Sequence, residues 1–597
     1  MQIITHKNVN LTTCQRFFIE KSLELLYLGS IDSYRVRLNN PKSILEELKY
    51  CLEEFETGRI KHFHTLKAKD KDRKAIVDEA ILLLNSNPNY FTFNLISQKY
   101  LTQLLTTIEE HNYKKVVSAI AIFLEENATY LTLVIDGLED LINANNVLIE
   151  DLLKIDRSLN ILFTELISKG FSKGYLYKFV YGVFVNSLEQ GKNFADHFLI
   201  FKNRVLEQKE NYTVVFRIDT TQKVYDSISA IPSPSLILAD TLTNINLSGG
   251  RQRREFASFN FPANTRKFIS CTTSALDYMA ALKNARSVLS EYLDIIDLGL
   301  SDEFLQIHSR AFVFNLQSPD KGNFQNNVNI LDGKYKVETD HYLDFMNKLP
   351  VILSNTKTPG ETKEKIKSAI RYLRFGNQSI EVEHKFINYW IGLEYLFSNY
   401  ESQNTINRIK EHFITAHTLA YVKRNIHNFK KAFGQLSVNV QGLIASYNNQ
   451  NEDYLKTESF YDEVSIKLLN TFPLLAYRSM KLKSWFFKPN KPANAKEYLS
   501  AHKTNLEIHL TRIYRLRNEI VHDAATNTNN EQIASNLRYY LTFILNELID
   551  FLSRSGQNGS SIENYFILNE IKMGNIEHNG YLLEDLLAVD CSIDFIT

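Results

Sequence analysis

Apolar residues recur every three and four positions along much of the chain, the spacing that gathers them on one face of a helix. The segments 74-KAIVDEAILLLNS, 115-KVVSAIAIFLEE and 158-SLNILFTELISKGF carry it, and residues 1–210 are expected to form a helical region. No repeat recurs at a fixed period, although helical hairpins in series would suit the spacing. After Asn211 the pattern changes. YTVVFRI (212–218) and RKFISC (266–271) are short, β-branched or aromatic, and bounded by polar turn residues, and HSRAFVFNL (308–316) alternates; all three predict strands. Between the last two, Leu276, Met279, Leu282, Ala285, Val288 and Leu289 predict a helix over 274–297. Residues 211–337 therefore read as a small α/β module. Helical spacing returns over 338–597, with loop markers at 356–362, 446–453, 488–495, 526–531 and 555–561 and a strongly apolar core helix at 537–552. The expected fold is mainly α and multidomain.

Composition agrees with that picture and narrows the function. A chain of 597 residues exceeds what one hydrophobic core serves. Its 21 Gly and 11 Pro are few, which favours long helices over turn-rich β architecture. Lys and Arg number 68 and so do Asp and Glu, so any nucleic-acid contact must come from local charge. Cys14, Cys51, Cys271 and Cys591 are far apart and form no CxxC, which argues against a disulfide framework or structural zinc and fits a reducing compartment. The N-terminal residues lack the basic start and apolar run of a signal peptide, and no 18-residue apolar stretch occurs. A cytoplasmic protein without a membrane span or cofactor is expected.

Charge is unevenly placed near the C-terminal end. Residues 471–520 hold ten Lys/Arg against three Glu, a net of +7, whereas 523–597 hold three against eleven acids, a net of −8. Trp485, Phe486 and Phe487 lie among the lysines of the basic stretch. Two readings stand: a surface that follows RNA phosphates and stacks bases, through Lys481, Lys483, Lys488, Arg512 and Arg515, or a solvated stretch with an aromatic anchor in the core.

Within that stretch, 512-RIYRLRNEIVHDAA continues a stripe of Leu506, Leu510, Ile513 and Ile520. Arg517 interrupts it, and a guanidinium there needs a partner or a reason. His522 follows Asn518 by four residues and so shares its face, near the helix end, where a loosened last turn would let Arg517, Asn518 and His522 converge. The alternative is a histidine capping the last carbonyls and an arginine bridging helices. The same R-x4-H spacing occurs at Arg59 and His64, but there Ile60 follows the arginine and a charge-dense run follows the histidine, as at a solvated helix end. On the apolar face of 386-FINYWIGLEYLF, Glu394 lies four residues after Trp390, and a buried glutamate calls for a cation, with Arg517 the natural candidate.

The run R-N-E-I-V-H (517–522) resembles the R-x4-6-H motif of HEPN-domain ribonucleases, including the polar residue after the arginine. The stretch 371-RYLRFGNQSIEVEHKFINYWIGLEYLFSN is similar to the early helices of the ApeA-like HEPN group, with Trp390, Leu393, Glu394, Leu396 and Phe397 in W-x-x-L-E-x-L-F. The resemblance covers roughly 338–575 and implies an all-α HEPN helical bundle over 338–597, with Arg517, His522 and Asn518 catalytic and Glu394 supporting. It also implies an RNA-cleaving effector of prokaryotic antiviral defence or of a toxin system, with tRNA a common target of such effectors. A ribose 2′-hydroxyl supplies the nucleophile without a metal, a histidine moves the protons, and an arginine fork meets phosphate oxygens. One Arg–His pair offers a single proton-transfer group, so a homodimer with a composite site is expected. The long N-terminal region would sense an infection trigger. The second function class is a non-catalytic HEPN scaffold that binds RNA or a nucleotide. A third is a helical adaptor in which the motif is coincidental, which Arg517 and His522 on opposite sides of their helix would indicate.

Other motifs carry less. There is no GxxxxGK[ST], GxSxG or HExxH. LSGGRQRREF (247–256) reads as a basic loop, His62 and His64 lack further metal ligands, and 136-DGLED is an ordinary acidic helix end.

Overall fold

The computed structural model describes residues 10–27, 39–56, 71–85, 90–144, 149–188, 193–230, 236–242, 250–261, 265–300, 305–326, 339–379, 381–399, 405–448, 450–487, 494–523, 531–554 and 559–591. Within these, the side chains of 71–75, 149, 294–300, 318–326, 339–342, 494 and 522–523 are not described. Arg59, His62, His64 and Lys488 lie outside the described residues. The architecture is mainly α and multidomain, with one small antiparallel sheet.

The N-terminal region is helical, as its spacing predicts. Helix Thr13–Leu26 starts at a capping box: the Thr12 hydroxyl accepts from the Gln15 backbone N–H at 3.2 Å, and the Gln15 side chain accepts from the Thr12 N–H at 3.0 Å. It buries Phe17 and Phe18, the latter edge-on to Phe184, Phe194, Phe198 and Phe201. This core is completed from the far end of the chain. Leu474 and Tyr477 of helix Pro473–Phe486 belong to it, the Tyr477 ring 5.0 Å from Phe17. Polar contacts reinforce the joint: Asp156 accepts from Tyr477 Oη at 2.8 Å and Lys481 Nζ at 3.0 Å.

The middle module is a five-stranded sheet ordered β2-β3-β1-β4-β5, with β1 Glu210–Thr220, β2 Leu236–Ala239, β3 Arg266–Ala275, β4 Leu305–Asn315 and β5 Ser318–Asn326. The three predicted strands are β1, β3 and β4. Helix Tyr278–Leu300 covers one face, where Val214, Phe216 and Ile218 meet Ala281, Ala285 and Leu289. It begins later than expected because β3 runs to Ala275 and Asp277 then caps it, accepting from the N–H groups of Met279 and Ala280 at 2.8 and 2.9 Å. On the other face, residues 250–259 form a helix and not the expected basic loop. Phe256 and Phe259, three apart, pack on Val215, Phe268 and Phe312, while Arg251, Arg253 and Arg254 point outward.

The C-terminal region is a helical bundle. Helices Gly360–Gln378 and Val382–Phe397 pair closely at Gly392, where a Cβ would stand 3.0 Å from Leu541 Cδ2 and 3.4 Å from the Ala369 carbonyl. Helices Asn494–Asp523, Glu531–Ser553 and Ile562–His578 complete a core containing Phe386, Trp390, Leu393, Leu510, Ile513, Leu541, Ile544 and Phe566. The expected core helix at 537–552 is thus the C-terminal part of Glu531–Ser553. The α/β module docks here through a buried ion pair, Arg286 to Glu531 at 2.7 Å. No single helix among the described residues is long and apolar enough to cross a membrane.

Candidate active site

The candidate chemistry lies on the 30-residue helix Asn494–Asp523. Its buried stripe runs Leu506, Leu510, Ile513 and Leu516, with Ile520 packed against the same core. Leu516, not Arg517, takes the buried position, so Arg517 flanks the stripe, half-buried, rather than breaking it. Its Nη1 donates to Asn518 Oδ1 at 3.1 Å. The helix does not loosen before Asp523, contrary to the expected convergence of Arg517 with His522. Five residues of intact helix put position 522 roughly 140° around the axis from 517, and roughly 40° from 518. The side chain of His522 lies outside what is described.

Helix Val382–Phe397 lies against this segment, its Trp390 ring 5.9 Å from Tyr514, one turn before Arg517 and Asn518. The pairing expected for Glu394 is not the one observed. Glu394 is half-buried and accepts from Trp390 Nε1 at 3.0 Å, and among the described residues no ion pair joins it to Arg517. Four residues apart on one helix, the indole N–H is its nearest donor, and partial exposure lets water serve the rest.

Of the five basic residues expected to follow RNA, Lys488 lies outside the described residues and the other four have carboxylate partners. Arg512, only 5% exposed, donates to Glu47 at 2.9 and 3.1 Å and to Glu79 at 2.6 Å, and Arg515 donates to Glu47. Glu47 and Glu79 come from helices Pro41–Glu56 and Lys71–Asn85, so the N-terminal region grips the candidate helix one turn before Arg517. Burial would raise the Glu47 pKa, but the two guanidiniums hold it well below the usual carboxylate range. For Glu79 burial prevails over the pull of Arg512, and its pKa is raised. Lys481 is held by Asp156, and Lys483 by Asp462 at 2.6 Å and Glu458 at 3.2 Å. Trp485 stacks on Tyr498 with centroids 3.6 Å apart, and with Phe486 and Phe487 it packs on a neighbouring core. The three aromatic residues are thus anchored in the core, as the second reading expects of them.

Sequence reasoning missed a buried network on the same helix. His417 Nδ1 lies 3.1 Å from His502 Nε2, its Nε2 lies 2.9 Å from Tyr539 Oη, and Arg424 donates to that hydroxyl at 3.2 Å. Two turns beyond His502, His509 bonds Tyr540 through Nδ1 at 2.8 Å. Burial, with Arg512 nearby, pushes the His509 pKa down to about 3. The signal was present: His502 and His509 fall on the stripe of Leu506, Leu510 and Ile513, where a histidine must be neutral and bonded.

No family model, curated protein or solved structure matches this chain.

Proposed function

We propose that the chain is a metal-independent endoribonuclease of HEPN type, acting on RNA in prokaryotic antiviral defence or as a toxin, with tRNA as a candidate substrate. The observation that carries the reading is the half-buried Arg517, bonded to Asn518 at the end of a helix packed on the Trp390–Glu394 helix. Arg517 would meet the phosphate oxygens, and His522 would move protons between the 2′-hydroxyl and the 5′-oxygen leaving group. Asn518, in angular register with position 522, would orient the imidazole.

Because positions 517 and 522 diverge around an intact helix, a working site is best assembled from two motifs facing each other in a homodimer. Val521, 48% exposed between them in sequence, supplies an apolar contact for such a face. The grip of Glu47 and Glu79 offers a route by which an infection trigger bound to the N-terminal region would reach the site, in the cytoplasm. Growth on induction tests the activity: the wild type should be toxic and His522→Ala harmless. The same divergence of 517 and 522 favours one other reading, a helical adaptor in which the motif is coincidental; for it, as for a non-catalytic HEPN scaffold binding RNA or a nucleotide, both proteins would affect growth equally.

A further inference from the structure

One end of the sheet gathers more positive charge than its carboxylates balance. Arg217 on β1 and Arg266 on β3 are diagonal neighbours, since Arg217 pairs with Phe268 and Asp219 with Arg266. On the other side of β1 the ladder with β4 is interrupted: Phe216 pairs with Ala311 and Ile218 with Ile307, so His308, Ser309 and Arg310 together face Arg217. Bulges of this kind re-aim side chains and concentrate beside binding sites. Here the bulge satisfies itself locally, the Arg310 N–H donating to His308 Nδ1 at 3.1 Å. That bond fixes the tautomer of a neutral His308 and leaves its Nε2–H as a donor.

Among the described residues of this end, four arginines, Arg217, Arg251, Arg266 and Arg310, share two carboxylates. Glu255 serves Arg251 at 3.1 Å and Arg310 at 3.2 Å, and Asp219 reaches Arg217 at 3.3 Å. Arg266 has no carboxylate partner among the described residues; its Nη1 donates to the carbonyl of Phe261, a residue 67% exposed. The Nε atoms of Arg217 and Arg266 are buried without a hydrogen-bond partner among those residues. Burial, and after it the charge of Arg217, lower the pKa of both Arg266 and His308, and Asp219 offsets this only in part. Half-buried guanidinium forks in that state match phosphate oxygens, and an exposed phenylalanine beside them offers a face for a base.

We propose that this end of the sheet binds a phosphate-bearing ligand with an aromatic base, a free nucleotide or the terminal nucleotide of an RNA strand, through Arg217, Arg266 and His308, with Phe261 beside the base. The inference does not depend on RNA cleavage, and it gives the middle module a ligand of its own.

Calorimetric titration of the full chain carrying His522→Ala, so that RNA stays intact, tests it with inorganic pyrophosphate, ATP and a short 5′-phosphorylated RNA strand. Saturable binding is expected, weakened roughly tenfold or more in Arg217→Ala and Arg266→Ala, the loss expected for a charge-assisted hydrogen bond, and only partly restored in Arg266→Lys. Binding of ATP identifies a free nucleotide, and binding of the strand alone identifies an RNA end. Hydrogen exchange on the protein without sheet substitutions should show ligand-induced protection across 217–219, 266–270 and 305–310, which decides the matter even where a variant fails to fold. No saturable binding of any of the three, or binding without protection there, would overturn the proposal.

Discussion

Glu47 and Arg512, 465 positions apart in sequence, meet in a two-pronged ion pair with N–O distances of 2.9 and 3.1 Å. Glu79 accepts a third bond from the same guanidinium at 2.6 Å. The helix that carries Arg517 is therefore held from the N-terminal region by charge and not by apolar packing alone.

Removing one partner from such a buried set strands the others. Glu47→Ala should destabilise the chain by about 3 kcal/mol, because Arg512 and Arg515 lose their shared carboxylate in a low-dielectric site. Glu47→Ala combined with Arg512→Leu should cost less than the two single changes added together, as measured by urea unfolding in a double-mutant cycle. Strict additivity would show that the two residues do not act as a pair.

His509 predicts a pH dependence of known sign. Its pKa is about 3 in the folded chain and ordinary once unfolded, so the unfolded state binds the extra proton between those values. The stability it contributes is full above about pH 6.5 and falls as pH drops toward 3, by up to ~1.4 kcal/mol per pH unit. Unfolding midpoints measured from pH 7 to pH 5 should fall more steeply in the wild type than in His509→Gln. Parallel slopes would remove His509 from the account.

Much of the fold was legible because its elements are locally periodic. β1, β3 and β4 announce themselves by β-branched and alternating residues, and helix Glu531–Ser553 by its apolar run. β2 is four residues long, and β5, SPDKGNFQN, has no apolar alternation and is a strand through its pairing with β4. Two glycines and three arginines disguised the helix at 250–259, which tertiary burial of Phe256 and Phe259 stabilises. Of the candidate site, Arg517, Asn518 and the neighbouring Trp390 helix were readable. The partners of Arg512 and Arg515 were not, since no local pattern reports a contact over more than four hundred residues.

The lysines of helix Pro473–Phe486 bear on how the proposed RNA substrate would be held. Lys481 and Lys483 already have carboxylate partners, so Lys481→Ala and Lys483→Ala should change RNA affinity by less than about twofold. Filter binding across a salt series checks this. A salt slope reduced by about one in either variant would mean that the lysine contacts a phosphate after all.

Trp390 and Glu394 form a local unit whose loss should be modest. Trp390→Phe removes the indole donor to Glu394 and should cost about 1 kcal/mol from that bond. Urea unfolding of Trp390→Phe in the Glu394→Ala background should show that cost vanish. An undiminished cost there would show that the bond contributes nothing.

RNA cleavage through Arg517 and His522 is tested most directly by sequencing RNA ends from cells expressing the wild type, Arg517→Ala or His522→Ala. New ends bearing 5′-hydroxyl and 2′,3′-cyclic phosphate groups should accumulate with the wild type and be absent with both variants. The same ends at equal abundance in all three, or none in the wild type, would contradict the account.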